Sequence, residues 1–375
     1  MKYVFYLFLI LTIAWLGFAD EEKNADRPLK GNWDFAPELQ WESSSAGGDA
    51  LVRITAVRVD GDGTTFVYDS KYSKFFVFST AGEFLYEFGK QGEGPGEYRR
   101  VFDFFLVDGN IVVPDMNKIH FFDKKGGFIR SEMTGGSMIR PRAFLDAANF
   151  LTVPFMGDDH KGNDRLDLFN LKTKKRTTLF EFPQEKNIEA TVSGRQGTMR
   201  LVVRDDSTTP GIVCLTDGKD LYFGKNDRYL IKKTDANGQE VFSFSLQGRD
   251  RKEVTMAMKK KRFENFTING RRPDPEMLRQ LTENIPDRCT YFNRIHVDTN
   301  GNIWVFVPDL GNENGQEIDI FSPAGKYLYH AELKLPENYE FSLSGFDVTG
   351  DRLTLFAEDE AGDGLLVRYR IRIPD

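Results

Sequence analysis

Short runs in which apolar and polar residues alternate fill most of the chain, and turns rich in Asp, Asn and Gly separate them. Alternation with a period of two puts successive side chains on opposite faces of a strand, so these runs predict β-strands. One signature, a polar turn between two such runs, recurs six times. It reads Val59-Asp60-Gly61-Asp62-Gly63 before Thr65-Phe66-Val67, Val107-Asp108-Gly109-Asn110 before Ile111-Val112-Val113, and Asp146-Ala147-Ala148-Asn149 before Phe150-Leu151. It returns as Thr216-Asp217-Gly218-Lys219-Asp220 before Leu221-Tyr222-Phe223, as Val297-Asp298-Thr299-Asn300-Gly301-Asn302 before Ile303-Trp304-Val305, and as Val348-Thr349-Gly350-Asp351 before Leu353-Thr354-Leu355. Asp, Asn and Gly enter the positive-φ conformations of tight hairpins at little cost, so each copy predicts a hairpin.

A second hairpin follows each of the first five copies, around Ser79–Gly82, Asp123–Gly127, Asn170–Lys174, Thr234–Gly238 and Ser322–Gly325. Two hairpins make four strands, named a to d, which is one propeller blade. The turn residues Asp60, Asp108, Asp146, Asp217, Asp298 and Asp351 are 48, 38, 71, 81 and 53 residues apart. A blade takes about 40–45 residues, so the two long intervals carry insertions, near Phe182–Pro210 and Gly248–Pro286. The second reads as helical, with Asp274 as cap, Pro275 in the first turn, and Leu278, Leu281 and Ile285 on one face. The sixth repeat ends after three strands, and a spare β-like segment, Glu38–Ser43, precedes the first. The expected fold is all-β, a six-bladed β-propeller of four-stranded antiparallel blades, its ring closed by that N-terminal strand, with a small helical insertion at about residues 250–286. Two separate β domains are the alternative.

Composition narrows the setting. Lys2 followed by an apolar run to Leu16, then Gly17-Phe18-Ala19, reads as a signal peptide over Met1–Ala19. The run is shorter than the about 20 residues of a spanning helix, and no Cys follows it for a lipid anchor. The expectation is a secreted or periplasmic protein without membrane anchoring after cleavage, with residues 20–32 as a flexible mature N-terminus and 33–375 as the propeller. With 50 Lys+Arg against 57 Asp+Glu, no nucleic-acid partner is expected, because phosphate neutralisation needs surplus cations. Two Cys, Cys214 and Cys289, exclude a disulfide scaffold; two buried thiols are expected, with a bridge as the alternative.

Phe88-Gly89-Lys90-Gln91-Gly92-Glu93-Gly94-Pro95-Gly96-Glu97-Tyr98 resembles the Gly-x-x-Gly-x-Gly-Pro-Gly-Glu-Phe loop of bacterial exported six-bladed β-propellers related to NHL repeats. The loop follows the first complete blade, as it does in that family. The resemblance implies a secreted or periplasmic binding scaffold and brings no general catalytic residue set with it.

In a four-stranded blade the b–c and d–a connections share one rim. All the long connections fall there: Gly89–Tyr98, Phe155–Arg165, Pro183–Pro210, Gln247–Pro286 and Pro308–Gln316. Loops on a rigid scaffold carry function, so this rim is expected to face a ligand; the alternative is that it only caps the ring. Arginines recur just before inner strands: Arg99 and Arg100, Arg140 and Arg142, Arg195 and Arg200, Arg288 and Arg294. Their forked guanidiniums suit carboxylates or phosphates, and Tyr98 and Tyr291 beside them could stack on a sugar or peptide. The candidate ligand-binding set is therefore Arg99, Arg100, Arg140, Arg142, Arg200, Arg288, Tyr98 and Tyr291. The structural alternative pairs each Arg with an Asp at the end of a strand b, such as Asp69, Asp115, Asp309 or Asp359.

Catalytic chemistry has little to stand on. His120, His160, His296 and His330 fall in different blades or layers, which argues against a His metal site, and no Gly-x-Ser-x-Gly elbow occurs. Asp158-Asp159-His160 and Asp359-Glu360 with Asp363 are the acidic loops that could take Ca²⁺, although such loops are commonly just solvated. Lys259-Lys260-Lys261-Arg262 reads as the wet face of a helix, and Asn265-Phe266-Thr267 as a weak glycosylation triplet. No cofactor and no catalytic residue is expected. The leading function is a binding scaffold for a peptide, glycan or protein partner, anionic in one version. The alternative is a propeller hydrolase or lyase with carboxylate-bound calcium at the channel mouth.

Overall fold

The computed structural model describes residues 20–371 except 34–36, 136–138, 154–162, 185, 195–196, 265, 269–270, 312–314, 335–338 and 360–362. It is a six-bladed β-propeller. Blade 1 runs Ile54–Val59, Thr65–Asp69, Lys74–Phe78 and Phe84–Phe88, and blade 2 runs Phe105–Val107, Asn110–Asp115, Lys118–Asp123 and Phe128–Met133. Blade 3 is Pro141–Asp146, Asn149–Thr152, Asn163–Asn170 and Lys175–Pro183, and blade 4 is Ile212–Asp217, Asp220–Lys225, Leu230–Thr234 and Glu240–Gln247. Blade 5 is Arg294–Val297, Ile303–Val307, Gly315–Phe321 and Tyr327–Lys334. Blade 6 takes Tyr339–Thr349, Arg352–Asp359 and Gly364–Arg370 from the C-terminal end and Glu38–Ser43 from the N-terminal one.

The strands differ in what they bury. Thr65–Asp69 and Ile303–Val307, both b strands, are buried along their whole length, because neighbouring blades cover both faces. The outer strands Phe84–Phe88 and Phe128–Met133 are largely exposed. Six apolar clusters result, one at each junction between blades, including Phe75, Tyr98 and Phe104 between blades 1 and 2, and Trp304, Phe346 and Leu355 between blades 5 and 6. The core of this molecule is a ring of interfaces between sheets.

Closure is antiparallel, with Glu38 opposite Arg370 and Ser43 opposite Leu366. Trp41 locks it: the indole Nε1 donates to the Thr80 carbonyl at 3.1 Å and the ring stacks on Phe78. The Arg368 guanidinium lies 5.0 Å from the Trp41 ring and donates to Thr354 Oγ1, the Gly63 and Thr80 carbonyls and Thr65 Oγ1. Blade 6 is thereby tied to blade 1 through buried polar groups.

The expectation of a flexible arm over residues 20–32 is corrected by strand pairing. Glu21–Ala25 adds a fifth strand to blade 4, parallel to Glu240–Gln247, and Asn32–Trp33 adds one to blade 5, parallel to Tyr327–Lys334. Asn24 explains the order: it is buried, its amide donates to the Ser245 and Gly325 carbonyls, and its Oδ1 accepts the Tyr327 N–H at 2.8 Å. The expected signal peptide over residues 1–19 lies outside the described residues.

Candidate functional site: the central channel and its cap

The inner strands surround a cavity of about 900 Å³ on the propeller axis. Its wall takes Thr55 and Arg58 from blade 1, Phe105 from blade 2, Arg142 from blade 3, Cys214 from blade 4, Arg294 and His296 from blade 5, and Asp347 from blade 6. The size falls within the range of roughly 300–1,000 Å³ usual for small-molecule sites.

Two insertions meet beside this channel and reach its lining through Arg204–Ser207 and Arg262. Strands Ile188–Gly194 and Gly197–Val203 pair antiparallel, and α1 (Met256–Arg262) and α2 (Pro275–Glu283) follow blade 4. Helix α2 begins as the sequence suggests, with Asp274 Oδ1 accepting the Glu276 N–H at 2.8 Å and Pro275 in the first turn. The two insertions share a core of Ile188, Ala190, Val254, Phe263, Met277, Leu281, Ile285 and Cys289. Gln280 Oε1 accepts the Thr191 N–H, and the Asn284 amide donates to the Glu189 carbonyl. The Lys259–Arg262 run is not simply a wet face, since the Lys259 ammonium is buried against the Ile285 carbonyl at 2.6 Å. Arg262 reaches down to the mouth, where it pairs with Asp205 at 2.8 Å.

The predicted arginines separate into two groups. Arg140 and Arg142 line the channel, and Arg100 stands next to them. The Phe102 ring carries the Arg140 guanidinium at 3.8 Å and that of Arg100 at 4.5 Å. Burial, and then the Arg142 and Arg100 charges, lower the Arg140 pKa to about 10, so it stays protonated in a positive neighbourhood. Arg294, also named beforehand, is lowered to about 10 by burial and then by Arg58; its guanidinium donates to the Phe346 carbonyl.

The other named residues do not converge on the channel. Arg99 is exposed and pairs with Glu93 at 2.7 Å, Arg200 pairs with Glu189 within the cap hairpin, and Arg288 donates to the Arg251 carbonyl. Tyr98 is a core residue, 1% exposed, with its hydroxyl donating to the Ser73 carbonyl at 2.9 Å. Tyr291 packs edge-on to Tyr229 and beneath Arg251. Arg195 and the side chain of Asp359 lie outside the described residues.

The structural alternative also takes an unexpected form. Asp115 accepts the backbone N–H groups of Arg99 and Arg100 at 3.0 and 2.9 Å, and Asp69 accepts those of Val52 and Arg53. Carboxylates ending strand b therefore hold the backbone leading into strand a, which satisfies donors that would otherwise be buried unpaired. The residues around Tyr98 are likewise architectural. Glu97 Oε2 accepts the Gly94 N–H at 3.0 Å and pairs with Lys90. A Cβ on Gly92 would stand 2.0 Å from that carboxylate, and Gly96 sits at φ +76°.

Arg58, Phe102, Arg204 and Asn293 reach the channel without having been singled out beforehand, and Arg262 does so although the sequence placed it on a wet helix face. Polar residues interrupting the inner strands Ile54–Val59 and Arg294–Val297 are the signal that would have found Thr55, Arg58 and His296. Arg58 pairs with Asp103 at 2.7 Å and Arg204 with Asp206 at 3.5 Å. Thr55 Oγ1 and Asn293 Oδ1 are buried in the wall without a hydrogen-bond partner among the described residues.

Among the described residues no three His, Cys, Asp or Glu side chains gather into a metal-holding group. Asp158, Asp159, His160, Glu360 and Asn265 lie outside the described residues. His120 is buried between Ser131 Oγ, 2.7 Å from its Nδ1, and Asp115, 3.6 Å from its Nε2, and it braces three strands of blade 2. Both Cys are free thiols, Cys214 in the channel wall and Cys289 in the cap core, each pushed up to about 11 chiefly by burial.

A family described as a 6-bladed beta-propeller matches residues 49–191. Among solved structures, the chain is similar to a protein described as exported from Bacteroides fragilis, at 14% identity and a TM-score of 0.52, covering 94% of this chain and 99% of that one. It is also similar to a member of the DUF4221 family from Bacteroides vulgatus, at 9% identity and a TM-score of 0.56, covering 91% and 99%. Virginiamycin B lyase from Staphylococcus aureus matches at 11% identity, covering 90% and 99%, with a TM-score of 0.45 that bears on no activity here. No curated protein matches. These likenesses show the fold. Among the described residues no helix is long and apolar enough to cross a membrane.

Proposed function

We propose that this protein is an exported binding scaffold whose capped rim recognises a peptide, glycan or protein partner, with the central channel as the recognition pocket. The observation that carries the reading is the cap: two insertions from different blades share one core and lend Arg204, Asp205 and Arg262 to the mouth of a 900 Å³ cavity. The opposite rim has short turns, such as Asp60–Gly63 and Asp123–Gly127. A signal peptide over Met1–Ala19, the loop resembling exported NHL-related propellers, and the likeness to an exported Bacteroides fragilis protein support a secreted or periplasmic location.

The test is a peptide and glycan array probed with the protein lacking residues 1–19. Asp206→Trp fills the mouth, and Lys125→Trp marks the opposite rim. Array ligands should lose binding with the first variant and keep it with the second. Ligands that respond to Lys125→Trp alone would place recognition on the wrong face.

A further inference from the structure

We propose that Phe128–Met133, the outer strand of blade 2, docks a second copy of this chain, edge to edge about a two-fold axis at Ser131. This goes beyond the binding-scaffold reading and does not depend on it. The strand is the last of its sheet, so one row of its backbone groups has no strand to pair with among the described residues. Thr134 N–H donates to the Asn117 carbonyl, and the bonding direction alternates along an antiparallel pair. Glu132 therefore bonds inwards, while Ser131 and Met133 turn their backbone groups outwards. Blade 5 shows what such an edge accepts. Its outer strand breaks register in the same way, with Phe321 opposite Tyr327 as Phe122 is opposite Phe128. There the counterpart of Ser131, His330, donates its backbone N–H to the Gly31 carbonyl, and the counterpart of Ile129, Leu328, accepts the Lys30 N–H.

The other outer edges are protected. Blades 4 and 5 carry the N-terminal arm, and the edge of blade 6 breaks register between Leu39 and Trp41. The edge of blade 3 opens on Lys175 and Arg176 and ends on Pro183, which has no N–H, and on blade 1 the turn of the Ser45–Ala50 hairpin lies against Phe84. Blade 2 instead leaves Ile129 and Met133 each 46% exposed.

The order of its residues identifies the occupant. Ile129-Arg130-Ser131-Glu132-Met133 reads apolar, cation, hydroxyl, anion, apolar, which complements itself when reversed. An antiparallel partner sets outward residues against outward residues, so a two-fold axis near the middle of the strand falls at Arg130, Ser131 or Glu132. The first sets arginine against arginine and the last glutamate against glutamate. An axis at Ser131 sets Arg130 opposite the second copy's Glu132 and Ile129 opposite its Met133, in both directions. Arg130 and Glu132 already pair at 2.8 Å within the strand, so the charges alternate across the axis. The two Ser131 residues exchange backbone bonds, and Met133 N–H meets the second copy's Ile129 carbonyl. The Met133 carbonyl keeps the Lys174 ammonium that it accepts within its own chain.

Sedimentation velocity of the protein lacking residues 1–19, run over a wide range of concentration, should show the mass rising from one chain to two. Arg130→Glu and Glu132→Arg each set like charges opposite one another and should each weaken self-association at least about tenfold. An equimolar mixture of these two variants restores opposite charges at every position and should recover a heterodimer. The double variant, with both charges exchanged, should dimerise with itself. A single-chain mass at every concentration would overturn the proposal. So would a dimer as tight as the parent's in either single variant, or a mixture and a double variant that both stay monomeric. None of the substituted residues lines the channel, so array binding should persist in each variant whatever becomes of the dimer.

Discussion

Residues 38–43 and residues 21–33 belong to one N-terminal segment yet join the ring in different ways. The first runs antiparallel to Gly364–Arg370 and supplies the fourth strand of a blade that has three without it. The second lays parallel fifth strands on blades 4 and 5, which are already complete. At the closure, Trp41 and Arg368 join blade 6 to blade 1, the guanidinium through buried groups that water cannot satisfy. Along the arm, Asn24 bridges blades 4 and 5, and Asp26 pairs with Arg249 at 2.6 Å. Strand pairing alone does not make a segment essential. What matters is how far its removal opens a core junction: the closure takes a whole strand with it, whereas the arm reaches a junction only at Trp33, edge-on to Trp304.

The largest effect should come from separating the two segments. Deleting residues 20–45 removes the arm and the closing strand, uncovers Phe78 and leaves Gly364–Arg370 as an open edge. Cooperative unfolding should be lost, read by chemical denaturation with circular dichroism, and a variant melting like the parent would show that closure is dispensable. Within the closure, Arg368→Leu leaves two buried threonine hydroxyls and the Gly63 carbonyl without that donor, while the Thr80 carbonyl keeps the Trp41 indole. Each unsatisfied group costs about 1–3 kcal/mol, so a loss of at least about 3 kcal/mol is expected.

The network beneath the arm comes next. Asp319 is fully buried and accepts from Tyr229 at 2.8 Å, Tyr327 at 2.6 Å, Arg249 at 3.0 Å and His330 at 3.0 Å. Burial works to raise its pKa, but the bonds from His330, Arg249 and Tyr327 outweigh burial and hold the carboxyl below its ordinary value. Asp319→Asn keeps the shape and leaves Arg249 without that counter-charge, so about 3 kcal/mol should be lost. Deleting only residues 20–31 spares this carboxylate, all six blades and the packing of Trp33 on Trp304. That variant should stay cooperative and lose about 1–3 kcal/mol, mainly from the bonds of Asn24. An arm deletion that costs more than Asp319→Asn would reverse the ranking.

The same contrast separates what could be read from the sequence. The hairpin turns at Asp146 and Asp298 were legible because each Asp side chain caps its own turn, as Asp298 Oδ1 does for Asn300 and Asn302. The closing strand was legible by counting, since an incomplete blade and a spare strand imply each other. The arm was not: Glu21–Ala25 has no apolar alternation, and one buried amide, Asn24, fixes its place. At the site, Arg140 and Arg142 followed from their position before an inner strand. Tyr98 misled because an aromatic beside arginines reads the same whether it faces a ligand or a core. Arg204 and Arg262 stayed hidden because the cap depends on two insertions meeting, which spacing along the chain does not reveal.

The smallest predicted effect is a pH dependence with opposite signs at two histidines. His330 faces the arm, its backbone N–H donating to the Gly31 carbonyl, and its Nδ1 is 3.0 Å from Asp319. The hydrogen bond to Asp319 raises its pKa above 6.5, against a smaller opposing effect of burial; Glu317 adds to the rise and Arg249 opposes it. Protonated His330 therefore contributes stability that is complete below the unfolded value of about 6.5 and disappears as pH climbs through the folded value. His296, in the channel wall with its Nε2 at the Val348 carbonyl, behaves in reverse. Burial lowers its pKa, against the pull of Asp347, so the unfolded chain binds the proton first. Stability is then lost as pH falls below about 6.5 and levels off beneath the folded value. Each unit of displacement is worth about 1.4 kcal/mol. Denaturation free energies measured from pH 8 to pH 5.5 should rise less steeply on acidification in His330→Gln and fall less steeply in His296→Gln. If both variants track the parent across that range, neither imidazole is coupled to folding, and the buried Asp319 network owes its stability to the tyrosines and Arg249 alone.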